Sequence, residues 1–324
     1  MLHPLNTGVS YGTATLLGYN KSKCGCLPLT AYLISGGRCS KSCAFCPRGN
    51  MINKGSMLSR ISWPEYEFKE TAERIKRAFE AKKLQRACFQ TVYENSQSEK
   101  TSSLIRELKG MCSIPVSVSA GAVSEETAKK YIDAGAEFIS IPIDCASERL
   151  FSSIKKASYR STMDILVRNA ERFPGRIRTH IIAGLGETEE EMADFLTEMH
   201  KRGIGTGLFA FTPIKGTEMK DCPPPEMAYY RKLQLASWLM EKGFGGLISI
   251  KEGLIFFSEK IYGLEELEKE KGKRFMTSGC PGCNRPSYNE RPGQTPHKHP
   301  EMPDGQKSEE ALRLALSGNT GKKQ

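Results

Sequence analysis

The sequence has no long apolar run. No stretch of its 324 residues approaches the roughly 18 consecutive apolar residues of a membrane-spanning helix. The first residues, from Met1 to Asn6, also lack the basic segment and following apolar stretch of a secretory signal. Internal repeats are missing too, apart from an alternation of strand and helix patterns. We therefore expect a cytoplasmic protein that does not contact a membrane.

The composition is that of a globular chain rather than a disordered one, with 39% hydrophobic and 26% charged residues. The formal net charge of +10 favours an acidic partner, although solubility alone would also explain it. Eleven cysteines are many for this length. Because no secretory signal accompanies them, metal or redox chemistry in a reducing compartment is a better interpretation than a disulfide framework.

The middle of the chain alternates apolar strand patterns with amphipathic helix patterns. The predicted strands cover residues 29–36, 85–93, 115–119, 137–143, 176–183 and 206–212. The predicted helices cover residues 64–83, 99–109, 124–134, 161–172, 188–202 and 226–242. This alternation predicts an α/β fold with a parallel sheet, right-handed crossovers and functional residues in the loops after the strands. One or two further strands are expected within residues 247–257.

Three cysteines, Cys39, Cys43 and Cys46, follow the first predicted strand with the spacing C-x3-C-x2-C. Three thiolates so spaced can hold one face of a [4Fe–4S] cluster and leave the fourth iron open to a small molecule. A structural zinc ion would need a fourth Cys or His nearby, and none follows before Cys88. Buried cysteines without any ligand are the remaining interpretation.

This loop resembles that of the radical S-adenosylmethionine (SAM) enzymes, in which an aromatic residue, here Phe45, precedes the last cysteine. The resemblance implies that the open iron binds the amino and carboxylate groups of SAM, and that one electron cleaves SAM to methionine and a 5′-deoxyadenosyl radical. It also implies a partial (β/α) barrel of about six parallel strand–helix units. An N-terminal extension (1–28), the barrel (29–245), a C-terminal extension (246–290) and a tail (291–324) would follow one another.

Other residues are similar to SAM-binding positions of biotin synthase. Residues 184–188 (GLGET) look like the stretch that contacts the adenine of SAM there, although a tight turn before a capped helix gives the same pattern. Residues 159–166 resemble the preceding helix start, with an arginine shifted by two positions. The resemblance assigns to SAM the residues Phe45, Gln90, Glu94, Ser119, Arg160, Gly184 and Gly186.

A second group of cysteines flanks the predicted barrel. Cys24 and Cys26 precede the first strand, and Cys280 and Cys283 follow the last predicted helix. The two pairs can form a four-cysteine site if both chain ends meet at one end of the barrel. That site would hold either an auxiliary iron–sulfur cluster or a structural zinc ion. Cys88, on the second strand, is interpreted as a core or barrel-lining thiol.

The stretch 280–292 (CPGCNRPSYNERP) resembles the ending of archaeal-type, two-component lipoyl synthases, as do residues 26–33 and 58–64. This implies two [4Fe–4S] clusters, SAM, and sulfur insertion at C6 and/or C8 of a protein-bound octanoyl chain, with the auxiliary cluster as sulfur donor. Single-chain lipoyl synthases take a serine ligand from a similar ending, so Ser287 competes with Cys24 as fourth auxiliary ligand. Their C-x4-C-x5-C motif is missing here, which favours the two-component type.

The same resemblance implies partners. The substrate would be carried by an octanoylated acidic carrier protein, a lipoyl domain or a derived peptide. Ferredoxin or flavodoxin would supply electrons, and a paired second synthase component would complete the system. A basic rim that steers the acidic carrier would comprise Lys21, Lys23, Arg38, Lys41, Arg48, Lys54, Lys271, Lys273 and Arg274. No nucleic-acid partner is expected, because the extra domains of tRNA methylthiotransferases are missing.

Alternative functions also fit parts of the sequence. A biotin-synthase-like enzyme would act on a free small molecule and hold its auxiliary cluster with strand residues inside the barrel, which the terminal cysteine pairs disfavour. A non-catalytic iron–sulfur scaffold would hold two clusters without cleaving SAM, and the three-cysteine motif with its open iron disfavours it. A zinc-stabilised nucleic-acid binder would contain no iron.

Overall fold

The computed structural model describes residues 5–22, 25–37, 39–50, 52, 56–94, 97–121, 123–270, 272–289 and 293–317. The predictions for Lys23, Cys24, Arg38, Lys54 and Lys271 lie outside these residues. The strands are β1 (Asn6–Val9), β2 (Thr30–Ser35), β3 (Met57–Leu58), β4 (Ile61–Ser62), β5 (Glu65–Glu67), β6 (Arg86–Thr91), β7 (Val116–Ser119), β8 (Ala136–Ser140), β9 (Ile177–Ala183), β10 (Gly205–Ala210), β11 (Ile248–Lys251) and β12 (Leu254–Phe257). The α-helices are α1 (Tyr11–Leu16), α2 (Phe68–Glu80), α3 (Gln97–Met111), α4 (Glu125–Asp133), α5 (Glu148–Lys155), α6 (Tyr159–Arg172), α7 (Glu189–Lys201), α8 (Met227–Glu241), α9 (Glu265–Lys269) and α10 (Gly305–Leu316).

The main sheet has eight strands in the order β10-β9-β8-β7-β6-β2-β1-β5. Six of these strands, β2, β6, β7, β8, β9 and β10, are parallel, and they lie side by side in this order. Helices connect each consecutive pair, so the six predicted strand–helix units are confirmed. The fold is an α/β partial barrel, and the C-terminal strand ends share one edge.

The edge of the barrel beside β2 differs from the prediction. Strand β1 pairs antiparallel with β2, and β5 pairs antiparallel with β1. The helix predicted from residue 64 therefore begins as a strand, and α2 starts only at Phe68. Helix α5 was also missed, because its eight residues are too few to establish a helical period.

Alternate residues of the barrel strands face opposite sides of the sheet. Leu33 of β2 pairs with Phe89 of β6, and both are fully buried in the main core. Tyr32 pairs with Cys88, one position earlier on each strand, and both side chains line the interior of the barrel. The interior face therefore carries polar and sulfur-containing side chains, while the outer face forms the hydrophobic core with the helices.

The segment predicted as a tail packs on the barrel instead. Helix α10 lies against α8, and the buried His299 forms a parallel bridge with Met276. The buried Arg231 of α8 donates from Nη2 to the carbonyl oxygen of Pro296 (2.7 Å). The hairpin of β11 and β12 confirms the further strands expected near residue 250. In the described ranges, no helix combines the length and apolarity needed to cross a bilayer.

Candidate active site

A cavity of about 280 Å³ occupies the interior of the partial barrel. Cys39, Cys43 and Cys46 line it in the loop after β2, at the carboxyl ends of the parallel strands. Cys280 and Cys283 line the same cavity near the first residues of the strands. One pair of the second cysteine group therefore shares an enclosed space with the three-cysteine loop.

Backbone contacts fix the shape of the three-cysteine loop. The N–H of Cys46 donates to the carbonyl oxygen of Cys43 (3.0 Å), and Asn50 Nδ2 donates to the carbonyl oxygens of Cys46 (2.9 Å) and Cys43 (3.3 Å). Gly49 passes close to the opposite side of the loop, where a Cβ would lie 2.0 Å from the carbonyl oxygen of Lys41. The close turn therefore requires glycine at position 49.

Burial and hydrogen bonding act in opposite directions on the pKa values of the thiols in this loop. Burial raises the pKa of Cys43 to about 11, although the nearby Lys155 ammonium lowers it. Burial also raises the pKa of Cys46, and backbone N–H groups of Gly49 and Arg48 that donate to its sulfur oppose that rise. Such donors stabilise a thiolate, which is the form that binds metal. Three thiols in one loop, one of them with backbone donors, fit a [4Fe–4S] cluster.

A buried ion pair lies beside this loop. Lys155 Nζ contacts Asp144 Oδ2, and their side chains are only 11% and 12% exposed. The N–H of Ala44, within the loop, donates to the carbonyl oxygen of Ile154 (2.9 Å), which ties the loop to the end of α5. Burial would lower the pKa of Lys155, but Asp144 and Cys43 outweigh it and raise the pKa. The cavity thus holds a lysine cation beside Cys43.

The residues predicted to bind SAM separate into two sets. Phe45, Gln90 and Ser119 line the cavity. Glu94 lies beside the cysteine loop, where its Oε2 accepts from the N–H of Gly37 (3.2 Å). Arg160 does not reach the cavity, because it begins α6 on the outside of the barrel, where its side chain is 83% exposed and its Nε lies 3.4 Å from Glu148 Oε2.

The turn at residues 184–188 is stabilised by its own acidic residue. Glu187 accepts from the N–H groups of Gly184 (2.7 Å) and Leu185 (2.8 Å), and from the hydroxyl of Tyr229 (2.7 Å). Gly184 and Gly186 have φ angles of 94° and 104°, which explains the glycines. Neither glycine is among the described residues that line the cavity. The capping box of Thr188 at the start of α7 agrees with the turn interpretation.

The first residues of the barrel strands hold the Cys-Pro-Gly-Cys turn. Thr30 Oγ1 donates to the carbonyl oxygen of Gly282 (2.8 Å), and Arg86 Nε donates to that of Pro281 (2.8 Å). Within the turn, the N–H of Cys283 donates to the carbonyl oxygen of Cys280 (2.9 Å). The turn therefore closes the amino-terminal end of the cavity.

The environment of Cys283 favours a thiolate. Its Sγ accepts from Arg285 Nε (3.0 Å) and lies 3.5 Å from the Tyr32 hydroxyl. The guanidinium carbon of Arg285 in turn lies 3.7 Å from the ring centre of Phe209. Burial alone would raise the pKa of Cys283, but the Arg285 charge and the two hydrogen bonds outweigh burial and lower the pKa. A lowered pKa favours the thiolate form of Cys283, which is the form that binds metal.

Two other thiols lie near this turn. Cys88 lines the cavity with Cys280 and Cys283, and burial together with these two neighbours raises its pKa. Cys26 lies outside the cavity lining, where its Sγ accepts from Asn284 Nδ2 (3.7 Å). Among the residues that the structure describes, no three His, Cys, Asp or Glu side chains lie close enough to hold a single metal ion.

Three predicted residues lie elsewhere than expected. Ser287 is exposed with a left-handed backbone (φ 64°), and the structure places the neighbouring Tyr288 and Asn289, rather than Ser287, in the lining of the cavity. Arg48 and Arg274, predicted on the basic rim, are only 4% and 6% exposed. Lys21 and Lys273 are exposed, as a rim requires.

Several cavity residues were not predicted from the sequence, among them Asp144, Lys155 and Arg285. Asp144 follows the fourth barrel strand, and that position was an available signal. The sequence around Lys155 and Arg285 contained no such signal, because long-range contacts bring these two side chains to the cavity.

Comparison with known proteins agrees with this geometry. Residues 33–199, just over half of the chain, match the family model described as the Radical SAM superfamily. The chain is 25% identical over 198 residues to a biotin synthase of Yersinia pseudotuberculosis serotype O:1b (strain IP 31758), covering 59% of this chain and 55% of that protein. It is 29% identical over 196 residues to a biotin synthase of Thermodesulfovibrio yellowstonii (strain ATCC 51303 / DSM 11347 / YP87), covering 58% of each. The crystal structure of methylornithine synthase has a similar fold, with a TM-score of 0.51, 16% identity, and coverage of 72% of this chain and 73% of that one.

The chain therefore belongs to the radical SAM superfamily, and somewhat more than half of its sequence is similar to biotin synthases. The matched region spans little more than half the length of the curated relatives. Membership implies a [4Fe–4S] cluster and SAM. The loop of Cys39, Cys43 and Cys46 fits that cluster.

Proposed function

We propose that this radical SAM enzyme inserts sulfur at C6 and/or C8 of a protein-bound octanoyl chain, as lipoyl synthases do. The observation that carries the proposal is the sharing of one cavity by two groups of thiols. Cys39, Cys43 and Cys46 lie at its carboxyl-terminal end, and Cys280 and Cys283 lie at the other. A substrate carbon between them would face both a radical source and a sulfur source.

The carboxyl-terminal end would bind the SAM cluster and SAM. The three thiols of the loop would hold three irons, and Phe45, Gln90 and Ser119 are the predicted SAM residues that line this part of the site. Their amide, hydroxyl and ring groups suit the polar and aromatic parts of SAM.

The amino-terminal end would bind the auxiliary cluster. Cys280 and Cys283 supply two thiols from one turn. Hydrogen bonds from Thr30 and Arg86 hold this turn in place, and so do the contacts of Cys283 with Tyr32 and Arg285. Cys88 and Cys26 are the described thiols nearest to complete the set. Arg86 and Arg285 would offset the negative charge of a thiolate-bound cluster.

Apolar side chains also line the cavity, beside its polar and sulfur-containing groups, and they favour a hydrocarbon substrate. They are Ile34, Ile182, Phe209, Phe211 and Ile214. An octanoyl chain is almost wholly apolar, so its transfer to such a lining is favourable. The exposed Lys21 and Lys273 remain available to attract an acidic carrier protein.

When bound and reduced by one electron from an external donor, the SAM cluster and SAM would supply a radical able to take a hydrogen atom from a substrate carbon. The auxiliary cluster would supply sulfide to that carbon and accept the electron released when the carbon–sulfur bond forms. This chain's residues orient the substrate between the two ends. The barrel wall and the turn at residues 280–283 exclude water from the radical.

The decisive experiment uses anaerobically reconstituted protein, prepared with ³⁴S-labelled sulfide, together with SAM, dithionite and an octanoyl-lysine peptide. We expect 5′-deoxyadenosine and a peptide that gains one or two ³⁴S atoms, measured by mass spectrometry. The Cys39→Ala variant is the matched control and should give neither product. If the peptide gains no sulfur, the assay is repeated with an octanoylated carrier protein and the paired synthase component. Formation of 5′-deoxyadenosine without sulfur in either substrate would contradict the substrate proposal.

A second candidate is sulfur insertion into a free small molecule, as in biotin synthase. The identity of the chain to biotin synthases favours it, and so does the position of the second thiol group inside the barrel rather than outside it. Dethiobiotin in place of the peptide separates the two candidates. Incorporation of ³⁴S into dethiobiotin alone would favour the second.

A further inference from the structure

We propose that Arg48 binds the carboxylate group of SAM. Arg48 follows the last cluster cysteine by two positions and was assigned above, from sequence, only to a surface rim. The proposal rests on SAM as the cofactor of the family. It holds whether or not the substrate is an octanoyl chain.

Arg48 has unused hydrogen-bonding capacity inside the cavity. The residue is 4% exposed and contributes to the cavity lining. Its Nη2 donates to the carbonyl oxygen of Gly36 (2.9 Å), while Nε and Nη1 are buried and have no hydrogen-bond partner among the residues that the structure describes. Buried guanidinium donors without an acceptor are costly, so an anion that fills this space would be bound favourably.

The position of Arg48 beside the cluster loop indicates that the bound anion is the carboxylate of SAM. Arg48 follows Cys46 by two positions in the cluster loop, and both residues line the cavity together with Cys39. A molecule that binds the open iron through its amino and carboxylate groups therefore places a carboxylate beside this guanidinium. A guanidinium bonds a carboxylate with charge-assisted hydrogen bonds, which are among the stronger ones.

The other cations that line the cavity have described partners. Lys155 contacts Asp144, and Arg86 Nη2 lies 2.6 Å from Glu137 Oε2. At the other end of the cavity, Arg285 donates to the thiol of Cys283 and Arg178 Nη2 donates to the carbonyl oxygen of Gly279 (2.9 Å). Lys41 Nζ lies 5.2 Å from the ring centre of Tyr93. Arg48 differs because two of its buried guanidinium donors lie beside the cluster loop and have no described acceptor.

The test compares SAM with decarboxylated SAM, which lacks only the carboxylate. Dissociation constants are measured by anaerobic calorimetry on the iron-loaded, unreduced protein, for the wild type and for Arg48→Met, Arg48→Lys and Arg160→Met. Arg160→Met is the matched control, since Arg160 is an exposed arginine. Iron content and the melting temperature of the metal-free chain are measured for each variant.

We expect Arg48→Met to weaken SAM binding by about tenfold or more and to leave binding of decarboxylated SAM nearly unchanged. Arg48→Lys should weaken SAM binding less, and Arg160→Met should not weaken it. Arg48→Met also removes the Nη2 hydrogen bond to the carbonyl oxygen of Gly36, so binding is compared at a temperature at which the melting curves show every variant to be folded. Equal weakening for both ligands, or loss of iron from both Arg48 variants, would assign the guanidinium to the cluster and overturn the proposal. Unchanged SAM binding would also overturn it.

Discussion

The hydroxyl of Tyr32, on the first barrel strand, lies 3.5 Å from the Sγ of Cys283, although 251 positions separate the two residues. The same hydroxyl accepts from the backbone N–H groups of Asn284 (3.2 Å) and Arg285 (3.0 Å). The C-terminal turn is therefore built into the barrel wall, and its cysteines face the cavity of the three-cysteine loop. Substitutions in the two cysteine groups should consequently affect different steps at one site.

Replacing both cysteines of the turn should uncouple the two steps. In Cys280→Ala/Cys283→Ala, we expect cleavage of SAM to 5′-deoxyadenosine to continue, because the cluster loop is unchanged. The sulfur-containing product should disappear, and the iron content should fall by about half if each site holds one cubane. Mass spectrometry and iron analysis measure both effects. Retention of the sulfurated product would refute a donor role for this turn.

Cys88 should contribute to the same auxiliary site. In the Cys39→Ala/Cys43→Ala/Cys46→Ala background, any remaining cluster belongs to the turn at residues 280–283. Adding Cys88→Ala should remove most of the remaining iron, because Cys88 lines the cavity together with Cys280 and Cys283. Cys112→Ala is the control, since its thiol lies at the end of α3 and donates to Leu108. Equal iron in the two variants would exclude Cys88 from the site.

Local patterns predicted the barrel and the loop of Cys39, Cys43 and Cys46. Strand–helix alternation is a local property, and so is the spacing of three cysteines in one loop. The strand Asn6–Val9 could not be predicted with equal ease, because four residues give too short an alternation and the strand forms by pairing with distant residues.

The partners of Cys280 and Cys283 depended on long-range contacts. The sequence predicted that they meet Cys24 and Cys26 at one end of the barrel. Hydrogen bonds from Thr30 and Arg86 place Cys280 and Cys283 at the amino-terminal end of its cavity, whereas Cys26 lies outside the cavity lining. The exposed position of Arg160 could not be predicted either, because a helix pattern alone does not show which way the first turn of the helix faces.

The buried pair of Lys155 and Asp144 should matter for stability. Lys155→Met leaves the Asp144 carboxylate buried without its cation, and we expect a loss of about 3–5 kcal/mol in the free energy of unfolding of the metal-free chain. Asp144→Asn/Lys155→Met removes both charges and should recover much of that loss. Denaturant unfolding measures all three chains. A double variant no more stable than Lys155→Met would contradict this account.

The metal-free chain should lose stability in alkaline solution through Cys43. Burial raises the pKa of this thiol from the ordinary 9.0 to about 11, so the folded state holds its proton more tightly than the unfolded state. The resulting stabilisation is complete below pH 9 and is lost as the pH rises towards 11. Melting temperatures between these values should fall less steeply for Cys43→Ala than for the wild type. Parallel curves would show that Cys43 does not contribute.

The glycine after the cluster cysteines gives a test of the loop itself. In Gly49→Ala, the new Cβ would lie 2.0 Å from the carbonyl oxygen of Lys41, so the backbone of the loop must move. We expect this variant to lose the SAM cluster and SAM cleavage, while the iron bound at the turn of residues 280–283 remains. Gly110→Ala is the matched control, because a Cβ there meets no atom within 4 Å and alanine favours its helix. If Gly49→Ala kept full iron content and cleaved SAM normally, the close packing of Gly49 against Lys41 would not be needed to hold the cluster.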